Sequence, residues 1–69
     1  MKHEIRTYAM KDGKAIREIH RESFSTAQEA YKAYQAAIRA HEGLPDKLRK
    51  PWMVARFNDG KLMTMQTFE

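Results

Sequence analysis

The chain has 69 residues, 42% hydrophobic and 32% charged, which fits one small domain spanning residues 1–69 and excludes a two-domain enzyme or a Rossmann or barrel architecture. It contains no cysteine, so disulfides and thiolate metal sites are excluded as supports for the core. Its 13 basic and 9 acidic residues leave a net charge of +4, which is compatible with nucleic-acid binding but modest for a dedicated binder.

Two nearly identical tetrapeptides predict two β-hairpins. KDGK occupies residues 11–14 and NDGK occupies residues 58–61, each between segments of strand-like composition. Asp-Gly favours a tight reversal because glycine adopts the positive φ that a twisted hairpin requires. We therefore predict hairpins over residues 3–21 and 52–68.

A helix is predicted between the hairpins. Ser25 and Gln28 fit a capping box, with the Ser25 hydroxyl accepting from the backbone N–H of Gln28. Apolar residues recur at helical spacing from Ala27 to His41, and Gly43 followed by Leu44-Pro45 ends the helix. The order ββαββ predicts an α+β fold in which one helix packs on a four-stranded antiparallel sheet made of two hairpins.

The turn of the second hairpin determines which side chains face the helix. A three-residue loop with Gly60 in a bulge groups Met53, Ala55, Phe57, Met63 and Met65, and we expect this Met-rich face to contact the helix. The opposite face then carries Trp52, Val54, Arg56, Leu62, Thr64, Gln66 and Phe68. A two-residue loop would mix the two sets. The register of the first hairpin stays open, because both of its faces are half apolar.

The chain shows no pattern typical of a catalytic or cofactor site. It lacks a glycine-rich phosphate loop, a serine nucleophile elbow and a metalloprotease histidine pair, so we predict a protein that is not an enzyme and that uses no cofactor or metal. Ser23 and Ser25 fit helix capping better than nucleophilic catalysis. His3 and His20 are expected on neighbouring strands as solvated strand-end histidines, because no third metal ligand has a defined spacing to them.

Several further residues have a structural and a functional interpretation. His41 at the helix C-terminus is expected to be a cation that interacts favourably with the helix dipole, with partner contact as the alternative. The methionines are expected to fill the core, with a promiscuous binding surface as the alternative. Tyr31 and Tyr34 are likewise expected in the core.

Two groups of residues are candidates for binding. The apolar outer face suggests a protein-binding site formed by Trp52, Arg56, Leu62 and Phe68, because tryptophan and arginine are favoured at interfaces. A basic group beside an aromatic ring suggests a nucleic-acid site formed by Lys47, Arg49, Lys50 and Arg56. The structural alternatives are a face covered by a strand or loop, and a solvated basic loop.

The segment FSTAQEA at residues 24–30, followed by Ala33 and Tyr34, resembles the strand-to-helix junction of ethylene-response-factor DNA-binding domains and of phage integrase arm-binding domains. Only two strands precede the helix here, whereas those domains have three, and we transfer no DNA-contacting residue. In size and architecture the chain is similar to small phage-encoded inhibitors of the anti-CRISPR type. That resemblance implies a protein that occupies the surface of a nucleic-acid-handling complex.

The sequence therefore predicts a small non-enzymatic inhibitor or adaptor, with direct DNA or RNA binding as the alternative. A homodimer through the outer sheet faces is a further expectation. No segment reaches the ~20 apolar residues of a membrane-spanning helix, and the first residues lack the apolar centre of a signal peptide. We therefore expect a cytoplasmic protein without a membrane partner.

Overall fold

The computed structural model describes residues 2–68 and confirms the α+β fold, with elements in the order ββαββ. The strands are β1 (His3–Lys11), β2 (Lys14–Phe24), β3 (Trp52–Asn58) and β4 (Lys61–Phe68). Helix α1 (Ala27–Glu42) connects the hairpins and is followed by a short 3₁₀ helix (Asp46–Leu48). The four strands form one antiparallel sheet in the order β2-β1-β3-β4, so the first strand of each hairpin lies at the centre.

Both hairpins close with a two-residue Asp-Gly turn. Asp59 (φ 50°) and Gly60 (φ 81°) connect Asn58 to its partner Lys61, and the first turn is similar, with Asp12 at φ 53° and Gly13 at φ 76°. This is the conformation of a type I′ turn, whose twist matches that of the strands. The prediction of a three-residue loop with a bulge at Gly60 is therefore wrong.

The bulges lie within the outer strands instead. In β4 the extra residue is Met63, between the pairs Arg56–Thr64 and Phe57–Leu62. Because a bulge shifts the alternation of side chains by one residue, Met65 shares a face with Ala55 and Phe57, as predicted. In β2 the register shifts leave Ile16 and Ile19 as the extra residues.

The helix begins one residue later than the capping box predicted. Thr26, rather than Ser25, is the N-cap: its Oγ1 accepts from the Glu29 backbone N–H at 3.2 Å. The Thr26 hydroxyl in turn lies 3.1 Å from Glu29 Oε1 and donates to it. Gly43 is the C-cap, as expected, and its N–H donates to the Arg39 carbonyl.

The helix packs on the face of the sheet opposite to the one predicted. Its buried residues Ala30 and Tyr34 contact Ile5 and Val54, which are 4% and 0% exposed. Around this core lie the half-buried side chains of Phe24, Ala33, Ala37, Ile38, Trp52 and Phe68. Trp52, Val54 and Phe68 therefore face the helix, and the prediction that the Met-rich face contacts it is wrong.

The central strand pair explains this inversion. Ile5 of β1 faces the helix and lies opposite Arg56, and Thr7 lies opposite Val54. Residues that lie opposite each other share a face, so Arg56 and Val54 must also point to the helix side. Glu4 and Arg6 pair with Phe57 and Ala55 and point to the other side. The charged face of β1 and the Met-rich face of β3 therefore coincide.

Candidate functional site

The sheet face that lies opposite the helix is the main candidate site, and we call it the open face. The pairing of β1, β3 and β4 places ten residues on it: Glu4, Arg6, Tyr8, Met10, Met53, Ala55, Phe57, Leu62, Met65 and Thr67. Toward β4 the apolar side chains become accessible, with Leu62 48% and Met65 53% exposed. Methionine side chains are flexible and polarisable, which lets them fit partner surfaces of different shape.

One end of the open face holds a compact cluster of charges around Glu4. The Glu4 carboxylate is 2% exposed and lies 2.8 Å from Arg6 Nη2, 3.6 Å from Arg21 Nη1 and 3.7 Å from Lys2 Nζ. Glu18 accepts from Arg21 at 2.8 Å. The hydrogen bond from Arg6, helped by all three positive charges, lowers the pKa of Glu4 despite its burial. Two carboxylates thus offset most of the local positive charge.

The same cluster adjoins the aromatic part of the open face. The Arg6 guanidinium lies 4.1 Å from the centre of the Phe57 ring, a cation–π contact. Its hydrogen bond to Glu4 also raises the pKa of Arg6. Arg6 is therefore committed to Glu4 and Phe57 and is poorly placed to bind a phosphate. The open face combines apolar contact area with internally paired charges.

The four residues predicted to bind a protein partner do not share one surface. Trp52, Arg56 and Phe68 point to the helix side and are half-buried, whereas Leu62 lies on the open face. The predicted grouping is wrong because the two-residue turn places Leu62 opposite Phe57, whereas the bulge at Met63 returns Phe68 to the side of Trp52 and Arg56. Of the four, only Leu62 belongs to the open face.

Trp52 and Phe68 instead surround the end of the helix. The His41 ring stacks on Trp52 with centroids 4.5 Å apart and planes 5° apart, and it lies 4.6 Å from the Phe68 ring. His41 is 7% exposed, and its Nε2 has no hydrogen-bond partner among residues 2–68. Burial, and then the charge of Arg49, lower the pKa of His41, while Glu42 opposes them. The expected role as a dipole-stabilising cation is therefore wrong.

A shallow apolar groove of about 440 Å³ runs beside this stack. Its walls come from the C-terminal half of α1 and from β2, including Ala37, Leu44 and Ile19, and Trp52 contributes to its lining. The groove exists because the helix leaves β2 uncovered: every β2 side chain except Phe24 is exposed. It extends the apolar surface at the helix C-terminus.

The residues predicted to bind nucleic acid are also separated. The Arg49 guanidinium donates to the Leu44 carbonyl at 3.0 Å and lies 3.3 Å from Asp46 Oδ1, so it fixes the chain after the helix. Lys47 and Lys50 are exposed in the same loop. Arg56 is half-buried on the helix side of β3. It lies four residues beyond Trp52, the first residue of the strand after the loop, which corresponds to about 13 Å at strand spacing.

The histidine and tyrosine predictions have mixed outcomes. His3 and His20 do lie on neighbouring strands, but His3 is buried with Nδ1 2.9 Å from Asn58 Oδ1, whereas His20 is exposed beside Glu22. Among residues 2–68 no three His, Cys, Asp or Glu side chains are grouped to hold a metal ion. Tyr34 is buried as expected. Tyr31 is 49% exposed, and its hydroxyl accepts from Gln35, so its predicted core position is wrong.

Sequence reasoning missed Tyr8, Met53, Phe57 and Met65 as surface residues of one face. The signal that could have found them is the alternation in β1, where Glu4 and Arg6 share a face with Tyr8. Charged residues at positions i and i+2 of a strand lie on the same face, and they indicate that no helix covers that face. Linking that side to Met53 and Phe57 required knowing that β1 pairs with β3.

Comparisons with protein-family models, with curated proteins and with solved structures find no match to the chain. Within residues 2–68, no helix has the length and apolar character needed to cross a membrane.

Proposed function

We propose that the protein is a small non-enzymatic binding module that docks the surface of another protein on its open face and acts as an inhibitor or adaptor. The observation that supports this proposal is the row of apolar side chains Tyr8, Met53, Phe57, Leu62 and Met65 on a sheet face that α1 leaves uncovered. An uncovered apolar face rimmed by charge is typical of a protein interaction site.

The charges of the open face favour a protein over a nucleic acid. Binding of DNA or RNA depends on lysine and arginine side chains that are available to phosphates. Here Arg6 and Arg21 are held by Glu4 and Glu18. The partner therefore presents an apolar patch to Met53 and Phe57, and acidic residues around that patch match the net charge of +4. The similarity to small phage-encoded inhibitors makes a component of a nucleic-acid-handling complex the first partner to test.

The first prediction is that a charge at the centre of the open face abolishes partner binding. In Met53→Glu the new carboxylate is buried against an apolar partner, so we expect affinity to fall at least 30-fold, equivalent to about 2 kcal/mol, a hot-spot effect. Tagged wild-type protein captures the partner from nuclease-treated lysate of the cells that encode it. The purified partner is then titrated with each variant by calorimetry.

Ala36→Glu is the matched control, because Ala36 is exposed on the helix and the substitution changes the charge by the same amount. Circular dichroism verifies that both variants fold. Equal affinity of Met53→Glu and Ala36→Glu for the partner would reject the open face. Direct binding to a 20-base-pair duplex or 20-nucleotide strand, lost in Met53→Glu and decreasing steeply with salt, would favour the nucleic-acid alternative.

A further inference from the structure

The two edge strands of the sheet, β2 and β4, are protected to different degrees against pairing with another chain. Strand β2 carries four charged residues between positions 17 and 22, Arg17, Glu18, Arg21 and Glu22, and two bulges interrupt its pairing with β1. Charges and bulges on an edge strand prevent it from pairing with other chains. In β4, residues 62–68 (LMTMQTF) contain no charge, proline or glycine. Beyond the bulge at Met63, the stretch from Thr64 to Phe68 is regular strand.

The unprotected edge also carries exposed apolar side chains. Leu62 and Met63 are each 48% exposed and Met65 is 53% exposed, although all three lie on one strand of a small sheet. Unpaired backbone groups beside exposed apolar side chains are the combination that natural proteins otherwise avoid. Strand β2 also exposes Ile16 (61%) and Ile19 (47%), but both are bulge residues that alternate with charges. The exposed apolar residues of β4 lie on a stretch of edge without charges, and this difference marks the β4 edge as an interface.

We propose that a second copy of this chain pairs with β4, so that two β4 strands run antiparallel about a twofold axis near Gln66. This register uses the regular stretch symmetrically: Thr64 lies opposite Phe68 of the other copy, Met65 lies opposite Thr67, and Gln66 lies opposite itself. No like charges face each other, and each pair joins residues that are favourable in sheets. A twofold axis makes the interface self-complementary.

Charges on the helix support the same occupant. A groove of about 290 Å³ beside β4 is lined by Gln66 together with Arg39 and Glu42 of the helix. The proposed axis passes near Gln66 and brings the two grooves together. Arg39 of each copy then faces the region of Glu42 in the other copy, which is an attractive arrangement. The dimer has a continuous eight-stranded sheet, with the two open faces side by side.

Cysteine cross-linking tests the proposed register, since the natural chain contains no cysteine. Residues facing each other across antiparallel strands have Cβ atoms about 4.5–5.5 Å apart, near the range for a disulfide. Single variants at Met65, Gln66 and Thr67 are oxidised mildly, and the dimer is followed on non-reducing gels. We expect the cross-linking maximum at Gln66, the position that faces itself, at a rate at least tenfold faster than in Arg17→Cys on β2; a maximum at Met65 or Thr67 would reject the register. Equal rates at the two edges would overturn the proposal.

Sedimentation of the natural chain and three charge variants provides the second measurement. We expect the natural chain to dimerise between 5 and 200 µM, Met65→Lys to remain monomeric, and Ile16→Lys on the other edge to dimerise like the natural chain. Met53→Glu separates this dimer from one formed by stacked open faces, because Met53 lies on β3, one strand inside the β4 edge, and its backbone does not take part in pairing between the two copies. A monomer at 200 µM, or a dimer dissociated by Met53→Glu and not by Met65→Lys, would overturn the proposal.

Discussion

At the scale of single residues, the stack of His41 on Trp52 and Phe68 joins the end of the helix to the end of the sheet. Flat contact between aromatic rings is favourable only while the rings exclude water. The buried Nε2 has no hydrogen-bond partner in the described part of the chain, residues 2–68, so an added proton would place a charge there without a compensating hydrogen bond. The neutral imidazole is therefore the form that belongs to the folded protein.

The second prediction concerns the effect of pH on this stack. The pKa of His41 is lower in the folded chain than its ordinary value of 6.5, so the unfolded chain binds the proton first as the pH falls. The contribution of neutral His41 to the free energy of unfolding is therefore complete above about pH 6.5. Below that pH it decreases by at most about 1.4 kcal/mol per pH unit, the limit for one proton. Urea unfolding at pH 7, 6 and 5 measures this decrease.

His41→Phe should flatten the pH dependence, because phenylalanine keeps an aromatic ring against Trp52 without a group that titrates. His20→Asn is the matched control: it removes an exposed imidazole and should leave the decrease unchanged. If His41→Phe loses stability between pH 7 and pH 5 as steeply as the natural chain, the origin of the decrease lies elsewhere.

At the scale of secondary-structure elements, the start of the helix shows how adjacent residues compete for one role. Ser25 and Thr26 both have a hydroxyl that can cap a helix, and Gln28 and Glu29 both complete a capping box. In the structure Thr26 and Glu29 form the cap: the Glu29 N–H donates to Thr26 Oγ1, and the Thr26 hydroxyl donates to Glu29 Oε1. The choice depends on where β2 ends at Phe24, which local spacing does not determine.

The third prediction follows from this choice. Thr26→Ala removes the side chain that accepts from the Glu29 N–H, so it should lower the free energy of unfolding by about 1 kcal/mol. Ser25→Ala is the matched control and should change it by less than about 0.5 kcal/mol. Urea denaturation monitored by circular dichroism distinguishes the two. A larger loss in Ser25→Ala would reassign the cap.

The same contrast between local and distant information explains which predictions succeeded. The two Asp-Gly turns, the helix and its end at Gly43 were predictable because each depends on residues close together in the chain. The identity of the covered face was not, because it depends on pairing between β1 and β3, about fifty residues apart. The bulge at Met63 has no glycine or proline to indicate it. The four predicted binding residues were therefore divided between two faces.

At the scale of the whole molecule, the protein is a two-layer structure only 16 Å thick in its shortest dimension. One helix covers one face of the sheet, and the core of buried side chains is centred on Ile5, Ala30, Tyr34 and Val54. The hairpins are held together by the pairing of β1 with β3. Two further hydrogen bonds extend this pairing: the Met10 N–H donates to the Pro51 carbonyl, and the Asp59 N–H donates to the Lys2 carbonyl. Neither hairpin closes the core alone.

The fourth prediction is that hydrogen exchange follows this arrangement. Strand β1 lies between β2 and β3, and its residue Ile5 belongs to the core. The β1 amides that donate to β3 should therefore exchange only when the whole protein unfolds. Amides of β2 that donate to β1 between Lys14 and Ile19 lie at an exposed edge with bulges at Ile16 and Ile19. They should exchange at least tenfold faster, which corresponds to about 1.4 kcal/mol. Exchange at 1 µM, resolved by residue, measures both sets below the concentrations proposed for dimerisation. Equal protection of the two sets would show that the first hairpin opens only together with the central strands.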